Sequence, residues 1–356
     1  MAAEASRNTW RRLRKNKGAL FGMGIILLSV LTALFAYFIS PDGTPDANRM
    51  IVEIGGQKPG FKQQFLQLPK SPVPPKVSFF QRLLRGQEDQ FHFIPISSYT
   101  TTGDSLIIQQ YIDVGVTERV AYSIHTPGWK VSGQTFHLGT DKYGRDILSR
   151  LLVGVRVSLS VGLVTVLISL SIGVLLGALA GYFRGKVDDA IMWFINVIWS
   201  IPTLLLVFAI TLMLGKGFWQ VFIAIGLTMW VNVARIIRGQ VMSVREMEYV
   251  EAARALGYVH GRILFRHVLP NVMGPVTVVA ASNFASAIVI EAGLSFLGVG
   301  VQPPQPSWGL MIKENYNFII TNNPMLALAP GFAIMLLVLA FNMLGNGLRD
   351  ALEVRG

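Results

Sequence analysis

The sequence predicts an all-α membrane protein with six transmembrane helices and a small mixed insertion between the first two helices. Of its 356 residues, 52% are hydrophobic and only 14% are charged, whereas soluble domains carry about 25% charged residues. Six stretches run for about 18 residues or more without a charged side chain, which is roughly the length that crosses a ~30 Å hydrocarbon core as a helix. Backbone polar groups in lipid must be satisfied within their own element, so these stretches are predicted to be helical.

The first span follows a basic segment over residues 1–18. Its apolar core of about 21 residues exceeds the ~7–15 of a signal peptide, so we expect it to stay uncleaved. The fourth span is the shortest. Prolines within the spans are expected to be tolerated without ending the membrane helices. The six predicted spans are Ala19–Ile39, Val157–Phe183, Ala190–Leu214, Gly217–Ala234, Val268–Ile290 and Met325–Leu348.

Basic residues predict the orientation of these spans. With the N-terminus inside, sixteen Lys and Arg residues fall in cytoplasmic segments, against Lys216 and Lys313 in the two short external loops. The other thirteen lie between Ser40 and Arg156, and long translocated segments largely escape the charge rule. We therefore expect both termini in the cytoplasm of a multi-pass protein in the inner or plasma membrane. The net charge of +11 then reflects topology and not a nucleic-acid ligand.

Residues 40–139 are predicted to form a small folded extracytoplasmic insertion, because a structureless loop of about 100 residues is unusual. The proline-rich stretch 69–75 is expected to be extended. Ser105–Val116 and Ala121–Ile124 are expected to be short strands, given their β-branched and aromatic residues. The chain has no cysteine. Its three histidines in this region lack metal-ligand spacing, so no metal site is predicted there: His92, His125 and His137.

A polar junction leads from the insertion into the second span, at the start of the predicted 140–356 core. Asp146 is expected to cap an amphipathic helix there. The segment is interpreted either as a plain capped surface helix or as a docking site for an external partner. The residues of the second interpretation are Thr140, Asp141, Gly144, Arg145 and Asp146.

The segment 239–270, between the fourth and fifth spans, carries the strongest functional signal. Met247–Leu256 consists of strong helix formers and begins with acidic residues, which suit the positive end of a helix dipole. Gly257 follows where a helix ends in a left-handed residue. A second helical stretch, Gly261–Leu269, leads to Pro270 at the start of the next span. A plain solvated connector does not explain so compact a helix–turn–helix in a protein whose other loops are mostly short.

The sequence Glu251-Ala-Ala, followed by Gly257, Ile263 and His267-x-Leu-Pro270, resembles the EAA loop of the permeases of ABC importers. In that family the loop forms a coupling helix that sits in a groove of the ATP-binding subunit. The resemblance therefore implies a docking element formed by Glu251, Ala252, Ala253, Ala255, Leu256, Gly257, His267 and Pro270.

Further motifs resemble the second permease of the dipeptide and oligopeptide (OppC/DppC-like) group: Gly139–Asp146, Gly154–Leu159, Glu291–Gly298, Pro306–Gly309 and Asn346–Leu352. The resemblance covers 1–40 and 137–356, and it implies a type I ABC importer permease fold and a peptide substrate. It also implies a second homologous permease, two ATP-binding subunits or domains and an external solute-binding protein as partners. Importers of nickel or of modified peptides belong to the same group and stay open as alternatives.

No Walker A pattern is present, so this chain is expected to be neither an ATPase nor any other enzyme and to bind no cofactor itself. ATP and Mg²⁺ would be handled by the partner subunits, and transport would proceed by alternating access. A membrane-embedded enzyme would need a catalytic pair or zinc motif that the spans lack. A channel or stand-alone carrier would leave the 239–270 loop unexplained.

Polar side chains within the apolar stretches are candidates for the translocation path or for hydrogen bonds between helices. They are Asn196, Asn232, Asn283 and Glu291, with Asn342 as a further asparagine of the same kind. Three glycines spaced by four, Gly173, Gly177 and Gly181, fit association with another subunit and packing within the chain equally well.

Overall fold

The computed structural model describes residues 9–123, 128–320 and 323–352. The chain divides into two compact units. A helical unit comprises residues 1–29, 158–302 and 334–356, and a sheet unit comprises residues 30–157 and 303–333. The sheet unit is therefore larger than the predicted insertion 40–139, since it also contains the junction before the second span and the segment between the last two spans.

Long apolar helices form where the sequence predicts spans. Within the described ranges, five of them have the length and composition to cross a membrane, or six if one sharply bent pair counts as a single span. The five are α1 (Lys17–Ile39), α3 (Ile147–Phe183), α6 (Phe218–Arg245), α9 (Leu269–Leu297) and α11 (Met325–Leu352). Pro275 and Pro330 lie inside α9 and α11 without ending them.

The third predicted span, Ala190–Leu214, is not one helix. It consists of α4 (Gly185–Trp199) and α5 (Thr203–Leu214), whose axes are bent by 89°. The break falls at Pro202, which directly precedes α5 with an extended ψ of 125°. Proline has no N–H for the helix ladder and disfavours helical backbone in the residue before it. The expectation that proline is tolerated was wrong at this position, and the fourth span, although the shortest by sequence, belongs to a 28-residue helix.

A helix–turn–helix connects α6 to α9, as the sequence predicts. It contains α7 (Glu248–Ala255), α8 (His260–Ile263) and a π-helical turn over Leu264–Val268 that runs directly into α9.

The insertion is folded, as predicted, and contains a five-stranded antiparallel sheet in the order β4-β3-β2-β1-β5. Its strands are β1 (Phe61–Pro69), β2 (Phe91–Thr102), β3 (Ser105–Asp113), β4 (Val116–Ser123) and β5 (Lys130–Phe136). The two predicted strands correspond to β3 and β4, although Ile124 lies outside the described residues, as does His125.

Apolar side chains cluster on both faces of this sheet, since neighbouring side chains of a strand point to opposite sides. On β1, Phe65 packs with Ile54 and Phe136 on one face, while Leu66 packs with Ile108 on the other. The described part of the sheet unit also contains the short α-helices α2 (Phe79–Arg85) and α10 (Trp308–Asn315). The Trp308 indole N–H donates to the Leu151 carbonyl at 3.1 Å, which holds α10 against the first turns of α3.

Candidate functional site: the helical loop and a polar cavity

The loop helix α7 ends in a glycine turn. The Gly257 N–H donates to the Arg254 carbonyl at 2.9 Å, and the Tyr258 N–H donates to the Ala253 carbonyl at 3.2 Å. Gly257 has φ +75°, a left-handed conformation that residues with a β-carbon rarely adopt. The turn reverses the chain between α7 and α8, as the sequence predicts.

One face of α7 packs on the spans and the other is exposed. Val250 and Ala253 are buried in a cluster with Ile263 and Val268, and this cluster continues onto α3, α6 and α9. Val250 and Ala253 are three positions apart and therefore lie on the same side of α7, where they anchor it to three long helices. The loop is thus held as part of the helical unit and is not a free linker.

Exposed apolar side chains lie at both ends of α7 and just after its glycine turn, the kind of surface that another protein can cover. We call this the docking face. Its apolar members are Met247 at 47% exposure, Tyr249 at 44%, Leu256 at 73% and Val259 at 72%.

The eight loop residues singled out from the sequence separate into two groups. Five that lie on or next to the docking face are exposed, as is Pro270 at the start of α9: Glu251, Ala252, Ala255, Leu256 and Gly257. The buried Ala253 instead faces the spans, and half-buried His267 stacks on Tyr258 with ring centroids 5.9 Å apart. These last two hold the loop and do not present it to a partner.

Two further ion pairs tie the ends of the spans together beside this loop. The Arg238 guanidinium of α6 donates two hydrogen bonds to the Asp188 carboxylate of α4, each at 2.5 Å. Arg184 donates to Glu246 at 2.5 Å, and this bond lowers the pKa of the exposed Glu246 carboxyl. A guanidinium that binds both carboxylate oxygens fixes the relative orientation of its two helices more tightly than a single contact does.

A polar cavity of about 510 Å³ lies within the helical unit. Its lining comes from α4, α5, α6, α9 and α11, and combines apolar walls with neutral hydrogen-bonding groups. The polar lining residues are Thr203, Thr228, Asn232, Asn283, Ser286 and Asn342. A cleft with a few convergent polar groups is the usual form of a small-molecule site.

Asn232 and Asn283 thus line a cavity, as the path interpretation of the sequence requires, whereas Asn196 and Glu291 do not. Asn196 is exposed on α4 outside the lining. Glu291 is 1% exposed and accepts a hydrogen bond at 2.6 Å from Ser295 of the same helix, so this bond is not the bond between helices that was its alternative. Helical periodicity alone does not say which face of a span meets other helices, so the sequence could not separate these four.

Two helices connect the cavity to the loop. Asn232 lies thirteen residues before the end of α6, and Asn283 lies thirteen residues after Pro270. At 1.5 Å per residue, each distance is about 20 Å along a rigid helix. The loop and the cavity are therefore linked through the continuous helices α6 and α9.

The polar junction 140–146 is buried within the sheet unit. Arg145 is 1% exposed, donates to Asp141 at 2.6 Å and donates to Glu314 at 2.8 Å. Thr140 is fully buried and donates to the Ile54 carbonyl. Burial of these charges requires mutual pairing, so in this conformation their side chains hold the unit together and are not accessible to an external partner.

Asp146 caps α3, as predicted. One of its carboxylate oxygens accepts the Ser149 N–H at 2.9 Å and also the Ser149 hydroxyl. Burial raises the pKa of the Asp146 carboxyl, and the hydrogen bonds from Ser149 partly offset that rise. Gly144 has φ +72°, and a β-carbon there would collide with the Ile51 carbonyl oxygen at 1.7 Å. Glu314 was not predicted from the sequence, because its partner Arg145 lies 169 residues before it.

Comparison with known proteins identifies the chain. Residues 173–355 match the family described as "Binding-protein-dependent transport system inner membrane component". A dipeptide transport system permease protein (DppC) of Lactococcus lactis subsp. cremoris is 33% identical over 348 residues, which cover 98% of this chain and 90% of that protein. The chain belongs to this permease family. Residues 5–55 also match the N-terminal transmembrane domain of oligopeptide transport permease C.

Other relatives of this protein are also permeases. A dipeptide permease DppC of Alkalihalophilus pseudofirmus is 41% identical over 65% of this chain and 77% of its own length. A glutathione permease GsiD of Pectobacterium atrosepticum is 42% identical over 61% and 71%. A solved chain of the inward-facing MetNI methionine ABC transporter covers 58% of this permease and 98% of that chain, with a TM-score of 0.50 and 18% identity. The permease therefore has the type I ABC importer fold with a sheet inserted after its first span, as the sequence predicts.

Proposed function

We propose that this permease forms one half of the translocation path of an ATP-driven importer for short peptides. A second homologous permease supplies the other half, two ATP-binding subunits or domains dock on the cytoplasmic loop, and an external solute-binding protein delivers the substrate. The relatives support the peptide class, since they include dipeptide, oligopeptide and glutathione permeases.

The observation that carries this proposal is the continuity from docking face to cavity. The docking face is apolar and exposed, its helix is anchored in the cluster below, and α6 and α9 carry the loop to the cavity walls. ATP-driven closure of the ATPases would push on α7 and tilt α6 and α9 so that the cavity opens outward. Hydrolysis would return the helices to the inward-facing state.

The lining chemistry supports a zwitterionic peptide more than a bare metal ion. Asparagine side chains offer both donors and acceptors, so the same wall can solvate an ammonium and a carboxylate. The lining contains no imidazole, thiolate or carboxylate, which are the side chains that bind nickel. A modified peptide such as glutathione satisfies the same lining and is the second candidate, favoured by the 42% identical glutathione permease.

The orientation of the proposal follows the distribution of basic residues, with both termini and the docking face in the cytoplasm. Co-purification of the tagged chain from its own membrane tests the assembly. Wild type is expected to bring down ATPase subunits and a second permease, while Glu251→Lys and Gly257→Asp lose the ATPases and keep the permease. A chain that purifies alone and still transports would contradict the proposal.

Peptide uptake tests the path separately. Asn232 and Asn342 are both exposed to the cavity, and leucine at either position removes hydrogen-bonding groups without adding charge. Asn232→Leu is expected to lower uptake about tenfold, roughly the effect of losing one hydrogen bond to a charged group. Asn196→Leu is the matched control, since Asn196 is an exposed asparagine outside the cavity. Equal uptake by the two variants would exclude this cavity from the path.

A further inference from the structure

Three arginines gather around one buried tyrosine where α3, α6 and α7 meet. We call Arg184, Arg245 and Arg254 the arginine cluster. The guanidinium carbons of Arg245 and Arg254 each lie 5.8 Å from the ring centroid of Tyr182. Arg184 follows Tyr182 by two residues at the end of α3. The Tyr182 hydroxyl is itself hydrogen-bonded to His260 Nδ1 at 3.1 Å.

The positive charge of this cluster is not balanced by acidic side chains. Glu246 is the one carboxylate paired with it, through Arg184, and its side chain is 66% exposed. Among residues 9–123, 128–320 and 323–352, no ion pair joins Arg245 or Arg254 to a carboxylate. Arg238, less than two turns beyond the cavity residue Asn232 on the same helix α6, is by contrast paired with Asp188 through two hydrogen bonds.

Hydrogen bonding in the cluster is also incomplete. Arg184 Nε, Arg245 Nη1 and Arg254 Nη2 are each buried and have no hydrogen-bond partner. The carbonyl ends of α3 and α6 and the face of the Tyr182 ring offset part of the charge. The Met242 carbonyl of α6 accepts from Arg184 Nη2 at 3.5 Å, but the three N–H groups named above have no acceptor. A buried donor without an acceptor destabilises the fold. An anion with several acceptor oxygens meets both deficits at once.

The surroundings favour an anion that is attached to lipid. The cluster lies at the point where α3 and α6 end, beside apolar side chains that remain exposed: Phe183 is 46% and Val187 is 42% exposed. Basic side chains directly beyond the end of a membrane helix attract the headgroups of anionic phospholipids. Arg245 and Arg254 are half-buried against Tyr182, which is 2% exposed, whereas the side chains of the docking face are exposed.

We propose that the arginine cluster is a phosphate site, occupied by the headgroup phosphate of an anionic phospholipid of the surrounding leaflet. The bound phosphate neutralises Arg245 and Arg254 and fixes α7 against Tyr182, which holds the docking face ready for the ATPase. This inference rests on the proposed function for the cytoplasmic placement of the loop. Phosphate binding itself is measured independently of transport and of ATPase retention.

Native mass spectrometry of the purified importer tests the site, with phosphatidylglycerol added to a delipidated sample. Arg245→Gln combined with Arg254→Gln is expected to lower phosphatidylglycerol binding by about fivefold for each arginine removed. Arg262→Gln is the matched control, because Arg262 is exposed in the same loop and lies over the Tyr258 ring at 4.3 Å. Equal loss in this control, or unchanged binding in the double variant, overturns the proposal.

Two further arms keep the test decisive. A photoactivatable phosphatidylglycerol is expected to label the peptides around Tyr182 and Arg254 of the wild-type protein. This arm does not depend on whether a variant folds. Labelling found only at other peptides refutes the site. Inorganic phosphate in place of lipid separates the sources. If added inorganic phosphate protects these peptides from photolabelling and added phosphatidylglycerol does not, the anion site stands and the lipid source is wrong. Loss of ATPase subunits with full lipid binding in the double variant assigns the arginines to the ATPase contact and also refutes the site.

Discussion

The glycines of α3 offer a quantitative test of helix packing. Gly177 touches α6 so closely that an added β-carbon would lie 2.4 Å from the Ala234 carbonyl oxygen and 3.0 Å from the Ala234 α-carbon. Ordinary contact begins at 3.4 Å, so in Gly177→Ala the two helices must separate by about 1 Å locally, since backbone atoms cannot rotate away. Overpacking of this kind costs about 1–3 kcal/mol.

The matched control is a glycine that faces open space. Gly24 on α1 is exposed, and an added β-carbon there meets nothing within 4 Å. Gly24→Ala is expected to stabilise the protein by up to about 1 kcal/mol, because alanine restricts the unfolded backbone. The free energy of unfolding, from titration with denaturing detergent in mixed micelles, measures both. A Gly177→Ala variant within about 0.5 kcal/mol of wild type would refute close packing of α3 on α6.

Three further predictions concern the ion pair, the loop and the sheet unit. Asp188→Asn leaves Arg238 without its bidentate partner and is expected to destabilise the protein by about 1–3 kcal/mol, measured by the same titration. An unchanged free energy of unfolding would mean that the ion pair does not stabilise the fold. Gly257→Ala places a residue with a β-carbon at φ +75°, at a cost of about 1–2 kcal/mol, and should weaken retention of the ATPase in a pull-down. Gly257→Asn should retain more of the ATPase, because asparagine tolerates this backbone conformation. Equal retention by both variants would contradict the strained turn. Because burial raises the pKa of Asp146 above its unfolded value near 3.9, the folded state holds more protons than the unfolded state just above that pH. Stability should therefore fall as pH rises from about 4 through the raised pKa, and Asp146→Asn should flatten that decline in thermal melts. Asp46, whose pKa burial also raises, contributes in the same direction.

Hydropathy and turn chemistry predicted most of this fold. Apolar length located the membrane helices, and the left-handed position of Gly257 located the end of α7. Pro202 was the exception. Whether a proline inside an apolar stretch kinks a helix or ends it depends on the tertiary partners of the freed carbonyls, and those partners are not encoded locally.

The part of the site formed by one continuous segment was predictable from the sequence, and the part that depends on how the helices pack was not. The loop residues share one short segment, so their spacing carried the information. The cavity draws side chains from five helices, and only the packed structure separates Asn232 from Asn196. The glycine triad, equally compatible with another subunit by sequence, packs within the chain against α6, between Trp230 and Val241. The arginine cluster was missed because Tyr182 lies about 60 residues before Arg245.

The central claim, that α7 docks an ATPase through its exposed face, is tested most directly by crosslinking. The chain contains no cysteine, so single cysteines report without background, and α7 offers two adjacent alanines of opposite exposure. Ala252 is exposed and Ala253 is 4% exposed. In the assembled importer, Ala252→Cys is expected to form a bismaleimide crosslink to the ATPase subunit, and Ala253→Cys is expected to form none. No crosslink from Ala252→Cys in a complex that retains its ATPases, or equal crosslinking from both positions, would contradict docking through this face.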